Sequence, residues 1–225
     1  MIEFAAFYER ALARHGDALA ERLPTVLAAE ALAAIPDDRW LARLAMHVFA
    51  AGFRWRVIQA KWPGFEEAFS AFDVAVVADL GTAERTALGE DRRIVRNPQK
   101  VRATCDNARF VLETSARHGG FGRFIADWPD DDIVGLWAHL KTHGTRLGGD
   151  TGPRTLRAMG KDTFVLSGDV VRGLTEAKVM TATATSQKGR RQAQEAFSTW
   201  RAQTGRPFAE LSVIVASSTG DLYRR

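Results

Sequence analysis

The chain has 225 residues, 46% hydrophobic and 26% charged, with 31 basic and 27 acidic side chains and a formal net charge of +4. That length suits one domain or two small lobes, and the apolar content can offset the entropy of ordering the backbone, which excludes disorder as the main state. No apolar stretch approaches the roughly 18 residues of a membrane span. Met1 to Arg14 carries Glu3, Glu9, Arg10 and Arg14 where a signal peptide would be apolar. The single cysteine, Cys105, permits no internal disulfide, and no Cys/His cluster suggests zinc. The expected location is cytoplasmic, with no cofactor, no metal and no membrane partner.

Helical periodicity prevails along the chain. Phe4, Phe7, Tyr8, Ala11 and Leu12 share one face at three- and four-residue steps. Leu41, Leu44, Ala45, Val48 and Phe49 repeat the pattern, with Asp37 and Asp38 ahead of them as cap and first-turn acids. The run Ala71 to Ala78 is rich in β-branched residues, but Asp73 followed by Val74, Val77 and Ala78 also suits a short helix. Val101, Cys105, Ala108 and Leu112 form a further stripe. Ala193, Ala196, Phe197 and Trp200 form another, stopped by Gly205 and Pro207. Phe208, Leu211, Ile214 and Val215 begin the last helix. The spacing predicts an all-α protein of about ten helices. Charge is uneven: acids crowd Asp127 to Asp132, and bases crowd Arg92 to Arg109 and Lys188 to Arg206.

Two segments carry most of the functional information. Trp137 and Leu140 on one helix precede the loop Leu147-Gly148-Gly149-Asp150-Thr151-Gly152-Pro153-Arg154-Thr155, and Leu156 and Met159 follow on another. A glycine hairpin between helices can bring backbone N–H groups to a phosphate, where the second helix adds its positive dipole end. Arg154 and Thr155 offer side-chain donors. By itself the same stretch also reads as a plain glycine turn. Asp169 lies 17 residues beyond Gly152, after an apolar run and a small-residue turn, so its carboxylate opens a helix. By itself it reads as an N-cap or first-turn acid.

Hairpin and acid together resemble the helix-hairpin-helix DNA glycosylases, with Gly152-Pro153-Arg154-Thr155 fitting the second half of that family's hairpin. The Gly148-Gly149 pair departs from its first half by one residue. A second resemblance is to 3-methyladenine DNA glycosylase I, the Tag family. It rests on Ala51-Gly52-Phe53-Arg54-Trp55-Arg56-Val57-Ile58, then Lys61, Phe65, Phe69, Phe72 and Asp73-Val74. It continues through Ile94-Val95-Arg96-Asn97-Pro98-Gln99-Lys100-Val101 and Asn107-Ala108-Arg109. The implied architecture is two packed helical lobes with a helix-hairpin-helix motif. The terminal helices, about 1–40 and 175–225, form one lobe, and about 41–174 form the other.

The resemblance implies roles residue by residue. Trp55 stacks on an extruded base and Phe53 wedges into the duplex. Gly148, Gly149, Gly152, Arg154, Thr155 and Lys100 hold the DNA backbone, with Arg96 and Arg102 adding charge. Asp169 stabilises the sugar cation formed during bond cleavage. Tag proteins lack this superfamily aspartate. They have a glutamate eight residues before the tryptophan; this chain has His47 there, which is expected to line the base pocket and read the edge of the flipped base. Their zinc site and the iron–sulfur tail of other relatives have no counterpart here, and Arg154 and Thr155 stand near where lyases carry a nucleophilic lysine. The implied activity is base-excision repair by a monofunctional, monomeric glycosylase that releases an alkylated purine from damaged double-stranded DNA. Two other readings stay open: a non-catalytic damaged-DNA-binding protein of the same fold, and an all-α small-molecule enzyme or interaction protein whose hairpin is only a turn. A core position is the simplest reading of Tyr8.

Overall fold

The computed structural model describes residues 4–219, and among them the regular secondary structure is helical, with no strand. In chain order the helices are α1 (Phe4–His15), α2 (Ala29–Ala33), α3 (Asp37–Ala50), α4 (Trp55–Ala68), α5 (Val74–Asp79), α6 (Thr82–Glu90), α7 (Pro98–His118), α8 (Phe121–Ala126), α9 (Ile133–His143), α10 (Thr151–Ala158), α11 (Gly168–Glu176), α12 (Gln187–Thr204) and α13 (Phe208–Thr219). None of the described helices is long and apolar enough to cross a membrane. The helix count exceeds the expected number because several connections hold one- or two-turn helices of their own.

Packing divides the chain into two units. One comprises Met1–Leu27, Pro129–Leu136 and Gly160–Arg225; the other comprises Ala28–Trp128 and Trp137–Met159. Residues 28–40 thus pack with the central unit and residues 160–174 with the terminal one, where sequence alone puts the divisions near 41 and 175.

In the central unit α7 is the axis against which α3, α5, α6 and α8 pack. Its ends are built from local chemistry. The Asn97 side chain accepts from the Lys100 N–H, Pro98 takes the first turn, and Gly119 closes the helix at φ 74. The α7 stripe runs through Val101, Cys105, Ala108 and Val111, all buried. Leu112, expected on that stripe, is exposed, because the three-residue step to Val111 keeps better register with the core. The ambiguous run at 71–78 is helical, with Asp73 capping the Val76 N–H of α5 at 3.0 Å. Asp37 and Asp38 are first-turn acids and not caps, since Pro36 holds the capping position. Asp37 instead accepts from the Phe121 N–H at 2.9 Å, and Asp38 pairs with Arg39 at 3.1 Å.

In the terminal unit α1 and α11 pack on α13, whose residues Phe208 to Ser218 are all buried except Glu210. Trp200 of α12 meets Phe4 and Phe7 of α1, with ring centroids 5.7 and 5.3 Å away. Leu12 is exposed, as it lies beyond the edge of the Phe4–Phe7–Ala11 face. Tyr8 is half-buried and not a core residue: the Arg206 guanidinium lies over its ring at 5.1 Å.

Candidate active site

The site is built where α3 ends. A helix leaves its last carbonyls without intrahelical donors. Here the Lys100 ammonium supplies them, donating to the Phe49 carbonyl at 2.9 Å and to the Ala51 carbonyl at 2.6 Å. A cation at a helix C-terminus is also favoured by the dipole. Lys100 is only 4% exposed, and burial pulls its pKa below the ordinary lysine value. This corrects the expectation that Lys100 contacts DNA phosphate: its charge is committed to the protein's own backbone. The same ammonium sits over the Phe53 ring, 4.6 Å from its centroid, so the 51–54 loop is fixed at both backbone and side chain.

Phe53 and Trp55 remain 46% and 39% exposed on that fixed loop and the first residue of α4. Large aromatics usually bury more of their surface. A wedge and a stacking platform both need such exposed faces, and the structure supplies them at the two predicted positions. The Trp55 ring lies 5.4 Å from the His47 ring, at a tilt of 44°.

His47 sits one turn before the end of α3, and its Nδ1 lies 3.1 Å from the Arg43 carbonyl. A carbonyl only accepts, so Nδ1 carries the proton in this bond and Nε2 of the neutral ring is left with a lone pair. Burial, with the positive charges of Arg43, Arg154 and Arg157, pushes the ring's pKa down to about 4, against the raising effect of the Arg43 carbonyl. At neutral pH His47 is therefore an uncharged acceptor beside an exposed tryptophan.

The hairpin runs between α9 and α10. Buried Asn107 of α7 grips it twice, accepting from the Thr145 N–H at 2.7 Å and donating to the Thr145 carbonyl at 3.1 Å. Lys100 and Asn107 are two turns apart on one face of α7, so a single helix positions both the aromatic loop and the hairpin. Sequence reasoning missed this role of Asn107; its one visible signal was a polar residue seven positions from Lys100, beside an apolar stripe.

Gly149 takes the left-handed conformation at φ 61, which glycine adopts without strain. The N–H groups of Gly148, Gly149 and Asp150 have no backbone partner among the described residues, so three adjacent donors stand ready at the half-exposed tip. Gly152 and Thr155 depart from expectation. The Gly152 N–H donates to the Leu147 carbonyl at 3.1 Å. A Cβ at this position would approach the same carbonyl oxygen to 2.8 Å, so glycine is required for closing the hairpin and not for touching phosphate. Thr155 is 1% exposed and its hydroxyl donates to the Thr151 carbonyl one turn back, at 2.8 Å. Arg154 keeps its expected availability: it is half-exposed and loosely held by Asp150 at 3.1 Å. Arg96 and Arg102 are exposed on the surface.

Asp169 belongs to the terminal unit, whereas His47, Trp55, Phe53 and the hairpin belong to the central one. It occupies the first turn of α11, whose cap is Ser167. Its Oδ1 accepts from Arg172 at 2.7 Å. The Thr219 hydroxyl donates to the Asp169 carbonyl at 2.8 Å, and Arg172 also donates to the Thr219 carbonyl at 2.7 Å. The carboxylate is thus held against α13 by a small network and stays partly open to solvent.

The family model for methyladenine glycosylases matches residues 33–151. The chain belongs to that family. The match spans His47, Trp55, Lys100, Asn107 and the hairpin up to Thr151, and makes this methyladenine glycosylase a DNA-repair hydrolase. Among solved structures it is similar to a variant of 3-methyladenine DNA glycosylase I in complex with 3-methyladenine, at 21% identity and a TM-score of 0.52, covering 63% of this chain and 83% of that one. The enzyme of the same name from Staphylococcus aureus is 22% identical at a TM-score of 0.51, over 63% of this chain and 82% of that one. An 8-oxoguanine glycosylase/lyase from Methanocaldococcus jannaschii, in complex with DNA, matches at 12% identity and a TM-score of 0.52, over 95% of this chain and 94% of that one. These likenesses establish the helical glycosylase fold.

Two expected outcomes follow from the geometry. The depressed His47 pKa means that the unfolded chain binds a proton near pH 6.5 and the folded methyladenine glycosylase only near 4. The stability that rests on neutral His47 is complete above about pH 6.5 and is lost as pH falls toward 4, up to about 3 kcal/mol in all. Urea unfolding of His47→Gln between pH 7.5 and 4.5 should show a correspondingly flatter loss than the parent; parallel curves would refute the assignment. On the DNA side, Arg154→Gln should weaken duplex binding and reduce the magnitude of the log-affinity against log-salt slope by about 1. Thr155→Val should leave that slope unchanged, as its hydroxyl is spent within α10. Salt titrations of binding to the same duplex check both.

Proposed function

We propose that this methyladenine glycosylase binds damaged double-stranded DNA as a monomer and hydrolyses the N-glycosidic bond of an alkylated purine flipped out of the duplex. The observation that carries the reading is the pairing of exposed Trp55 with the Nε2 acceptor of His47. A π-face accepts any base, at about 1–3 kcal/mol per stacked base, and the acceptor selects a base edge presenting an N–H. The N–H groups of Gly148, Gly149 and Asp150, which no backbone carbonyl among the described residues takes, act with Arg154 to hold the phosphate backbone. Phe53 fills the gap left by the flipped nucleotide, whose extrusion costs a few kcal/mol. The relatives solved with 3-methyladenine and with lesion-containing DNA support this use of the fold.

Chemically, the C1′–N bond breaks with its electron pair going to the base, and water adds to C1′. The role of Asp169 is to stabilise the positive charge developing on the sugar and to orient that water. Strand cleavage by a Schiff base needs an unprotonated amine. Arg154 cannot lose its proton, and the Lys161 ammonium is buried and paired with Asp130 at 3.3 Å. An arginine beside the hairpin and a paired Lys161 favour a monofunctional enzyme. The test is incubation with duplexes carrying single alkylated purines. The expected products are free base and an abasic site that breaks only on alkali treatment. Salt-sensitive binding to abasic duplex, with no base released from any lesion, would overturn the reading and leave a damage-binding protein.

A further inference from the structure

We propose that His139 and His143 form a two-imidazole binding site on α9 for a divalent late transition-metal ion, of the copper, nickel and zinc class. The site shares no residue with the His47–Trp55 pair or the hairpin tip, and it does not rest on the glycosylase reading. Placement, orientation and ligand chemistry carry it.

The chain has five histidines. His47 is held by the Arg43 carbonyl, and His15 lies between the Ser217 carbonyl at 3.2 Å and the Arg22 guanidinium at 3.1 Å. His139 and His143 differ. Their ring centroids are 4.2 Å apart at a tilt of 34°, and no hydrogen bond among the described residues reaches either ring. A neutral imidazole carries one nitrogen lone pair, so two unclaimed lone pairs stand side by side. The stretch His139-Leu140-Lys141-Thr142-His143 has the four-residue step that puts two imidazoles on one face of a helix, the spacing at which helical histidine pairs chelate a metal. The His139 ring is half-buried among Phe124, Trp128 and Phe110, with centroids 5.1, 5.4 and 6.1 Å away. That packing limits its rotamers before any ion arrives, which lowers the entropy lost on binding. His143 is exposed, so its ring has room to turn toward a shared ion. Lys141, the nearest cation along the helix, runs instead beside Gly148.

The donor set selects the ion. Imidazole nitrogen suits copper, nickel and zinc, whereas magnesium and calcium require oxygen ligands. No group of three His, Cys, Asp or Glu side chains among the described residues is arranged to hold a metal; His118 lies against Phe124, 5.0 Å from its ring, and is not part of the pair. Two imidazoles therefore supply the protein ligands and water fills the remaining positions, which makes the site open and ranks copper above nickel and zinc. His143 is the last residue of α9, and the hairpin held by Asn107 follows at Gly144 and Thr145. An ion bridging the two rings ties the last turn of α9 together at the root of that hairpin, and so favours the folded chain.

The test is calorimetric titration of the untagged full chain with copper(II), nickel(II), zinc(II) and magnesium chlorides in a buffer that does not bind metal. Saturable binding is expected for the first three, tightest for copper, and none for magnesium. For nickel, His139→Gln and His143→Gln should each weaken binding by about tenfold or more, since each removes half of a chelate. His47→Gln should bind nickel as the parent does, which separates this site from the base pocket. Nickel should raise the Tm of the parent and not that of His143→Gln. Nickel broadening of imidazole NMR signals in the unaltered protein gives the same assignment without any substitution: His139 and His143 should broaden before His15, His47 and His118. No saturable binding of copper or nickel, a smaller loss in either glutamine variant that folds, or broadening that begins at another histidine would each overturn the proposal. Base release from damaged duplex is a separate measurement, so none of these outcomes bears on the glycosylase reading.

Discussion

Asp169→Asn is expected to reduce base release by about 10²–10³-fold while leaving duplex affinity within about twofold. The substitution keeps size and hydrogen-bonding shape and removes one negative charge. Its effect on folding should be small. The α11 cap is Ser167, not Asp169. The lost ion pair with Arg172 is partly exposed on both sides, and pairs of that kind contribute about 0–1 kcal/mol. Arg172 keeps its bond to the Thr219 carbonyl, and the Thr219 hydroxyl keeps its bond to the Asp169 backbone. The geometry of the turn is therefore preserved, and a collapse of activity reports on charge. Single-turnover release from a duplex that the parent processes, alongside a binding titration, checks this. Release within threefold of the parent would remove Asp169 from the chemistry. A protein in which Arg172 has retired the carboxylate would show that result, and release would then rise, not fall, in Arg172→Gln.

Lys100→Met should be the most disruptive substitution outside the reacting groups. The methionine fills similar volume but donates nothing. Two carbonyls at the end of α3 lose a charge-assisted donor. Bonds of that class contribute about 1.5–3 kcal/mol each, and an unpaired buried acceptor costs about 1–3 kcal/mol. Water can reach the partly exposed Ala51 carbonyl more readily than the buried Phe49 one, and the methionine avoids the desolvation cost that burial places on the ammonium. A net loss of about 2–4 kcal/mol is expected from urea unfolding. The functional loss should be larger than the stability loss implies, because Phe53 also loses the cation over its ring. At a temperature where the variant remains folded, base release should fall at least tenfold with DNA affinity nearly unchanged. If Lys100 were a phosphate contact instead, affinity and its salt slope would fall and stability would hold.

Much of the frame was legible along the chain. The apolar stripes of α3, α12 and α13 follow three- and four-residue spacing, and the Gly205–Pro207 stop lies where turn chemistry puts it. The exposed aromatic pair at 53 and 55 followed from a recognisable sequence block, as did the hairpin after α9. These features depend on interactions within a few residues, where spacing and residue type decide the outcome. The errors share one cause. Leu12 and Leu112 lie at the edges of their stripes, where sequence places a residue on the right side of a helix but not inside its neighbour's reach. Thr155 was read as a surface donor because a hydroxyl after a hairpin offers one; the turn before it had already taken that donor.

The sequence by itself determined the helices and the glycine hairpin, since each is written in local pattern, while the aromatic loop and the acid at 169 were singled out by resemblance to a family. Only the tertiary structure decided what the charged and polar side chains do. Lys100 finds its partners 51 and 49 residues away, and Asn107 grips a hairpin 38 residues away. Nδ1 of His47 is claimed by its own helix, while its neutrality follows from burial and from guanidinium groups that α10 brings to α3. A long polar side chain carries the same atoms whether it faces solvent, DNA or a helix end. Its partner is set by which distant backbone the fold brings within about 3 Å, and that information is not contained in any short window of residues.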